Sequence, residues 1–357
     1  MAVHNRVAAT DQARPEQDSG TRSFSSRVVC VATGFAALIA TSALLHALFP
    51  PAIPAGVAAK LKFFTEHKNE FDTLFVGTSA IYYSVSPEIF DRTTRESGLP
   101  TRSFNFGIDA MHPPENFYVL EQILKTKPRN LKWVFLETAD VQTKLHQELG
   151  TERAVYWHDW PRTALTLRKA LDPRGGAKWY IKISRLWLAR RDLATHLALF
   201  AKRFANVGRF DFLSSHRDRA DTAESELGPK RDGYRLAGDA MSAENAASFQ
   251  KRLAQEITGA RPKQIDPYAN EAYRNYARQI RQIGAEPFFV VTPLIFQSPI
   301  SFRESPPGPL LAFNDGKTYP MLFDPKVRID DAHLTREGAE EFTRLLAQEF
   351  VRRARRP

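Results

Sequence analysis

Apolar residues recur along this chain in three different rhythms. From residue 28 to 49 they run almost unbroken, interrupted by small Thr and Ser positions and His46 and by no charge. As a helix this run reaches about 33 Å, enough to cross a hydrocarbon core of roughly 30 Å. A buried core helix rarely stays uncharged on every face for that length. A cleaved signal peptide has a shorter apolar core behind a shorter leader. The pattern predicts one uncleaved transmembrane helix over 28–49, with residues 1–27 as a disordered tail. Pro50, Pro51 and Pro54 stop the helix and stiffen the chain beyond it.

From about residue 60 the rhythm alternates between short β-rich runs and amphipathic stretches. Asp72-Thr73-Leu74-Phe75-Val76-Gly77-Thr78-Ser79 reads as a buried strand ending on a glycine and two hydroxyl residues. Ser86-Pro87 is an N-cap followed by proline at the first helical position. A second strand is expected over 101–107, a helix over 113–127 and a third strand over 132–137. Strand, helix, strand, helix, strand predicts a parallel α/β sheet. The rhythm returns with a helix over 268–283, a strand over 287–293, a short last strand over 319–323 and a final helix over 335–353. Residues 302–318 read as a loop.

Between these halves, residues 141–265 read as helical and basic. The loops lie around Asp172-Pro173-Arg174-Gly175-Gly176 and Gly228-Pro229, and 218–233 is a charged, mobile stretch. A helix over 186–204 carries Leu186, Leu193, Leu197, Phe200 and Phe204 among arginines. It suits a lid packed on the domain, with a membrane-surface helix as the alternative. Trp157-His158-Asp159-Trp160 suits a pocket lining, or equally a loop that its tryptophans pin to the core. The domain layout is therefore a tail, an anchor, an α/β domain over 60–140 and 266–357, and a helical insertion over 141–265.

Composition changes this picture little. A chain of 357 residues can hold a full-sized core. Its formal charge of +10 suits nucleic acid, anionic lipid or acidic polymers. No zinc-finger spacing or RNP-like aromatic run is present, so nucleic acid is not expected as a partner. One cysteine, Cys30, rules out an intramolecular disulfide. The nine histidines are scattered and no His-Glu-x-x-His occurs, so neither a metal nor another cofactor is expected. A nucleotide-binding Gly-x-x-x-x-Gly-Lys loop and a Gly-x-Ser-x-Gly elbow are absent as well. Arg14, Arg22 and Arg27 precede the apolar span, and Lys60 and Lys62 follow it. That small bias favours the tail inside and the bulk outside.

The chemistry lies at two distant points. Ser79 follows a strand end, where open α/β sheets place their sites. Asp330 and His333 are three residues apart before the last helix. A serine hydroxyl becomes a useful nucleophile when a histidine takes its proton. A carboxylate behind the ring fixes its tautomer and balances the imidazolium. Taken alone, Asp330 and His333 would read as a capping and packing pair.

Gly77-Thr78-Ser79, Gly107 within Phe104-Asn105-Phe106-Gly107, and Asp330-x-x-His333 together resemble the SGNH or GDSL hydrolase family. The resemblance covers roughly 70–140 and 285–355 and is closest to membrane-anchored relatives that modify or export bacterial cell-surface polymers. It implies a three-layer, flavodoxin-like parallel sheet. It implies Ser79, His333 and Asp330 as nucleophile, base and orienter, with the Ser79 and Gly107 N–H groups as oxyanion donors. It implies an esterase or O-acyltransferase on the outer face of the inner membrane, acting on an acylated polysaccharide, with acyl groups from a membrane-bound partner. The family's oxyanion asparagine has no counterpart, because Leu136-Glu137-Thr138 fills its place, and an ionised carboxylate cannot donate. Three readings stand open. Asn105 supplies the amide, or Glu137 turns away to bind an acceptor hydroxyl, or the fold is an impaired scaffold that binds polymer or partner proteins. Trp157 and His158 are further candidates for contact with substrate.

Overall fold

The computed structural model describes residues 19–48, 53–143, 152–172, 179–205 and 225–355. The chain divides into two compact units, residues 1–50 and 51–357. In the first, helix α1 (Ser19–Leu48) begins well before the expected residue 28, and no proline interrupts it from Ser19 to Arg27. Its segment Ser26–Leu48 is long and apolar enough to cross a membrane, and Cys30 on it is exposed. Residues 1–18 of the expected tail, Pro50, Pro51, the 173–176 turn and 218–224 lie outside the described residues.

The second unit is built on a five-stranded parallel sheet. Its strands are β1 (Thr73–Gly77), β2 (Ser103–Gly107), β3 (Trp133–Glu137), β5 (Glu286–Val291) and β7 (Leu310–Ala312). A separate pair joins β4 (Lys263–Gln264) to β6 (Ile300–Ser301). The order in the main sheet is β2-β1-β3-β5-β7. Counting only these five strands, that is the 2-1-3-4-5 order of flavodoxin-like sheets, whose crevice opens beside the first strand.

Side-chain alternation explains the layers. Leu74, Val76, Val134, Leu136, Phe104 and Phe106 face one apolar cluster, together with α2 (Ala55–His67), α5 (Glu115–Lys125) and α10 (Pro267–Gln282). Phe75, Phe135, Phe288 and Val290 face the other, against α4 (Pro87–Glu96) and α11 (Arg336–Ala354). Successive residues of a strand point to opposite faces, so a strand covered on both sides reads as an unbroken apolar run. Phe350 of α11 lies with its ring centroid 5.1–5.5 Å from those of Phe90, Trp133, Phe135 and Phe288, and so locks the last helix onto the sheet.

Two strand expectations fail. Residues 319–323 form no strand; Pro320–Phe323 is a 3-10 turn. Pro320 lacks the N–H a ladder needs, and its fixed φ starts a turn instead. The last strand is Leu310–Ala312, inside the expected loop, and is too short to show alternation.

The insertion carries α6 (Glu152–Trp157), α7 (Trp160–Ala170), α8 (Trp179–Ala205) and α9 (Ala243–Gly259). Its cations pair with the α/β layers. Arg162 is buried against Glu121 and the Tyr276 hydroxyl, Arg153 meets Glu115 at 2.6 Å, and Lys169 meets Asp266 at 3.0 Å. These three cations hold α6 and α7 on α5 and α10.

Gly77 and Gly107 face each other across β1 and β2, and neither tolerates a Cβ. At Gly107 it would strike the Tyr82 backbone, and at Gly77 it would stand 2.6 Å from Glu137 Oε2. Gly107→Ala is therefore expected to lower unfolding stability by about 1–3 kcal/mol, as overpacking does. Urea denaturation measures this, and an unchanged midpoint would contradict the packing.

Candidate functional site

β1 ends on Gly77, and Thr78 caps the short helix α3 (Ser79–Tyr82), its Oγ1 accepting the Ala80 N–H at 3.1 Å. Ser79 is the first residue of that helix, so its own N–H lies outside the intrahelical ladder. Ser79 Oγ is 2.7 Å from His333 Nε2. His333 Nδ1 is 2.8 Å from Asp330 Oδ2. The structure brings together three groups that are 254 and 3 residues apart in the chain.

The turn before α11 sets their geometry. Asp330 Oδ1 accepts the N–H groups of Ala332 at 2.7 Å and His333 at 2.8 Å. Partial burial pushes the Asp330 carboxyl up. The bonds from His333 and the two backbone N–H groups outweigh it and leave the pKa at about 2. An ionised Asp330 can only accept, so Nδ1 carries the ring proton and Nε2 faces the serine hydroxyl as an acceptor. The Tyr83 ring stands edge-on to His333 at 5.7 Å, and its hydroxyl donates to Asp109 Oδ2 at 2.7 Å.

The other expected site residues do different work. Asn105 is fully buried; its amide donates to the carbonyls of Ile81 at 2.8 Å and Val85 at 2.7 Å, and its Oδ1 accepts the Gly107 N–H at 2.7 Å. Neither Asn105 nor Gly107 presents a free donor, because a buried amide group needs its partners inside the protein. Glu137 does not face an acceptor. It is buried, with Oε2 accepting the Thr78 N–H at 2.6 Å and Oε1 accepting the Thr292 hydroxyl at 3.0 Å. Burial pushes the Glu137 carboxyl up, against the pull of those donors.

Trp157 and His158 are core residues, 1% and 0% exposed, with their rings stacked on each other. His158 Nδ1 contacts the Ala154 carbonyl, and its Nε2 meets His196 Nδ1 at 2.9 Å. His196 Nε2 in turn meets the Thr143 carbonyl at 2.9 Å. Two neutral imidazoles carry two N–H hydrogens for these three contacts, so with both rings neutral one contact holds no hydrogen.

Two residues that matter here were not read as part of the site from the sequence, and Lys60 was counted there only as a charge flanking the apolar span. Lys60 is fully buried and donates to the carbonyls of Asn105 (3.2 Å), Gly107 (2.7 Å) and Gly233 (2.7 Å), with Nζ 3.7 Å from the Tyr82 ring centroid. Burial holds its ammonium well below the ordinary lysine range. Val57, Lys60 and Phe64 share the buried face of α2, so a charge on an apolar stripe was the available signal. Arg328 is buried below the Asp330 turn. In the sequence, only a basic residue beside two aspartates marks it. Among the described residues no cluster of His, Cys, Asp or Glu is arranged to hold a metal. Neither the family models nor the curated proteins contain a match to this chain.

Burial and the neighbouring His196 ring push His158 down to about 3. A base whose folded pKa is depressed takes up more protons when unfolded, so its contribution is complete above the unfolded value near 6.5 and is lost as the pH falls toward 3. The expected loss approaches about 1.4 kcal/mol per pH unit below 6.5. His158→Gln should flatten that limb in urea titrations between pH 7 and 4; parallel curves would rule the histidine out as its source.

Proposed function

We propose that this chain is a membrane-anchored serine esterase or O-acyltransferase of the SGNH type, acting on O-acyl groups of a cell-surface polysaccharide. The observation that carries this reading is the continuous contact from Ser79 through His333 to Asp330 at 2.7 and 2.8 Å. It sits at the carboxyl end of β1, beside the point where the strand order reverses.

In this reading Ser79 Oγ attacks the ester carbonyl while His333 Nε2 takes its proton. Asp330, held ionised, balances the imidazolium. His333 then returns the proton to the departing alcohol, leaving an acyl-Ser79. Water completes hydrolysis; a sugar hydroxyl, activated by the same ring, completes transfer. The oxyanion falls to the Ser79 N–H and to the backbone after β2. There the N–H groups of Asp109 and Ala110 follow the engaged Gly107, and Ala110 holds a left-handed φ of 51°. One such donor is worth about 2.7–4 kcal/mol of transition-state stabilisation. In this reading the domain lies on the extracytoplasmic side of the inner membrane, where a membrane-bound partner would supply the acyl group.

The second reading is an impaired scaffold that binds polymer or partner proteins. It draws on the engagement of the Asn105 amide and the Gly107 N–H within the protein.

Activity toward a chromogenic acetyl ester, with labelling by a fluorophosphonate, separates the two. The acyl-enzyme reading expects label on Ser79 and a loss of at least about a thousandfold in Ser79→Ala and Asp330→Asn. Parent and Ser79→Ala turning over alike, with no label on Ser79, would leave the scaffold reading.

A further inference from the structure

Arg328 reaches the site without touching a reacting atom. Its side chain is fully buried, between the rings of Phe249 at 5.2 Å and Phe323 at 5.3 Å. Four hydrogen bonds leave the guanidinium, and all four go to main-chain carbonyls. Nε donates to Asp330 at 3.1 Å and Nη2 to Asp331 at 2.9 Å. Nη1 donates to Pro293 and to Leu322, both at 2.9 Å. Two of these carbonyls belong to the turn that carries the Asp330–His333 pair. The third lies just past β5, and the fourth in the 3-10 turn at 320–323.

The backbone around the turn closes on the same point. Arg328 pairs with Leu334 in an isolated antiparallel bridge, and the Ile329 N–H donates to the His333 carbonyl at 3.0 Å. The Asp331 carbonyl also accepts the Ile295 N–H at 3.0 Å. Pro293 follows Thr292, whose hydroxyl bonds Glu137, which bonds the Thr78 N–H beside Ser79. A bonded path thus runs from the guanidinium, through the end of β5 and Glu137, to the nucleophile turn.

The choice of acceptors matters. A cation bonded to the Asp330 carboxylate would compete with His333 for it. Arg328 takes the Asp330 carbonyl instead, leaving both carboxylate oxygens to His333 and the turn N–H groups. Lysine cannot substitute, because an ammonium is a point with three donors and cannot serve four separate carbonyls.

We propose that Arg328 is the positioning residue of the Asp330–His333 turn, holding the imidazole at hydrogen-bond distance from Ser79. This rests on the reading of Ser79, His333 and Asp330 as a catalytic triad. A residue that merely stabilises the fold would change the amount of folded protein, whereas Arg328 sets the reactivity of each folded molecule.

The test compares the full-length parent with Arg328→Lys and Arg328→Gly by fluorophosphonate labelling of Ser79 across pH, per folded molecule. Folded Arg328→Lys should be labelled at least tenfold more slowly, with the acid limb of its pH profile moved to lower pH. Added guanidinium should restore labelling in Arg328→Gly. A folded lysine variant with the parent rate and profile would overturn the proposal. Should neither variant fold, the parent decides: its Arg328 Nε–H, followed by nitrogen-15 NMR, should exchange slowly with solvent and shift as the site titrates. Rapid exchange, or no response to that titration, would overturn it. If the parent is not labelled at Ser79 at all, the catalytic reading fails, and the same NMR response, compared in parent and Asp330→Asn, still tests whether Arg328 holds the turn.

Discussion

The site depends on a buried carboxylate. Glu137, at the end of β3, accepts the Thr78 N–H from the turn after β1 and the Thr292 hydroxyl from the segment after β5. Three neighbouring strands therefore end in register around one group. Thr78 is the residue before Ser79, and Thr292 precedes the Pro293 carbonyl that receives Arg328. A charged carboxylate in a dry interior is costly unless its lone pairs are taken. Here each oxygen accepts one donor, and each donor comes from a segment that positions half of the site.

Buried cations serve the same edge of the sheet. Parallel strands end by turning their last carbonyls toward a rim that helices cannot fully cover, and those carbonyls need donors. Lys60 supplies them at β2, through Asn105 and Gly107, and also binds the Gly233 carbonyl of the insertion. Arg328 supplies them at the end of β5 and in the turn before α11. Asn105 works beside Lys60, fastening the end of α3 to β2. Rigidity at the Ser79–His333 contact comes from saturating main-chain acceptors, with apolar packing supporting it from both faces of the sheet.

The long insertion is an electrostatic attachment as much as a cover. Its arginines and lysines look free in the sequence, yet Arg153, Arg162, Lys169 and Arg203 reach acidic or tyrosine partners on α5, on α10 or at its cap. Arg162 is held by two carboxylates and a phenol and is almost wholly buried. Net charge is a property of the whole chain, and it says little about a face until the pairs within the fold are subtracted.

The sequence by itself determined the α/β class, the apolar N-terminal span, the principal helices and strands, and two places that stand out, Ser79 after a strand and the Asp330–His333 pair before the last helix. Each of those signals is local: a period of two or 3.6, a proline after a cap, a hydroxyl at a strand end, two polar residues three apart. Only the tertiary structure decided which donors are already engaged. Asn105 and Gly107 carry the right atoms for an oxyanion but direct them inward, and Glu137, Trp157 and His158 are buried away from solvent. It also decided the edge strand at Leu310–Ala312 and the two buried cations. Hydrogen-bond partners and burial depend on residues far away in the chain, so no local pattern can report them.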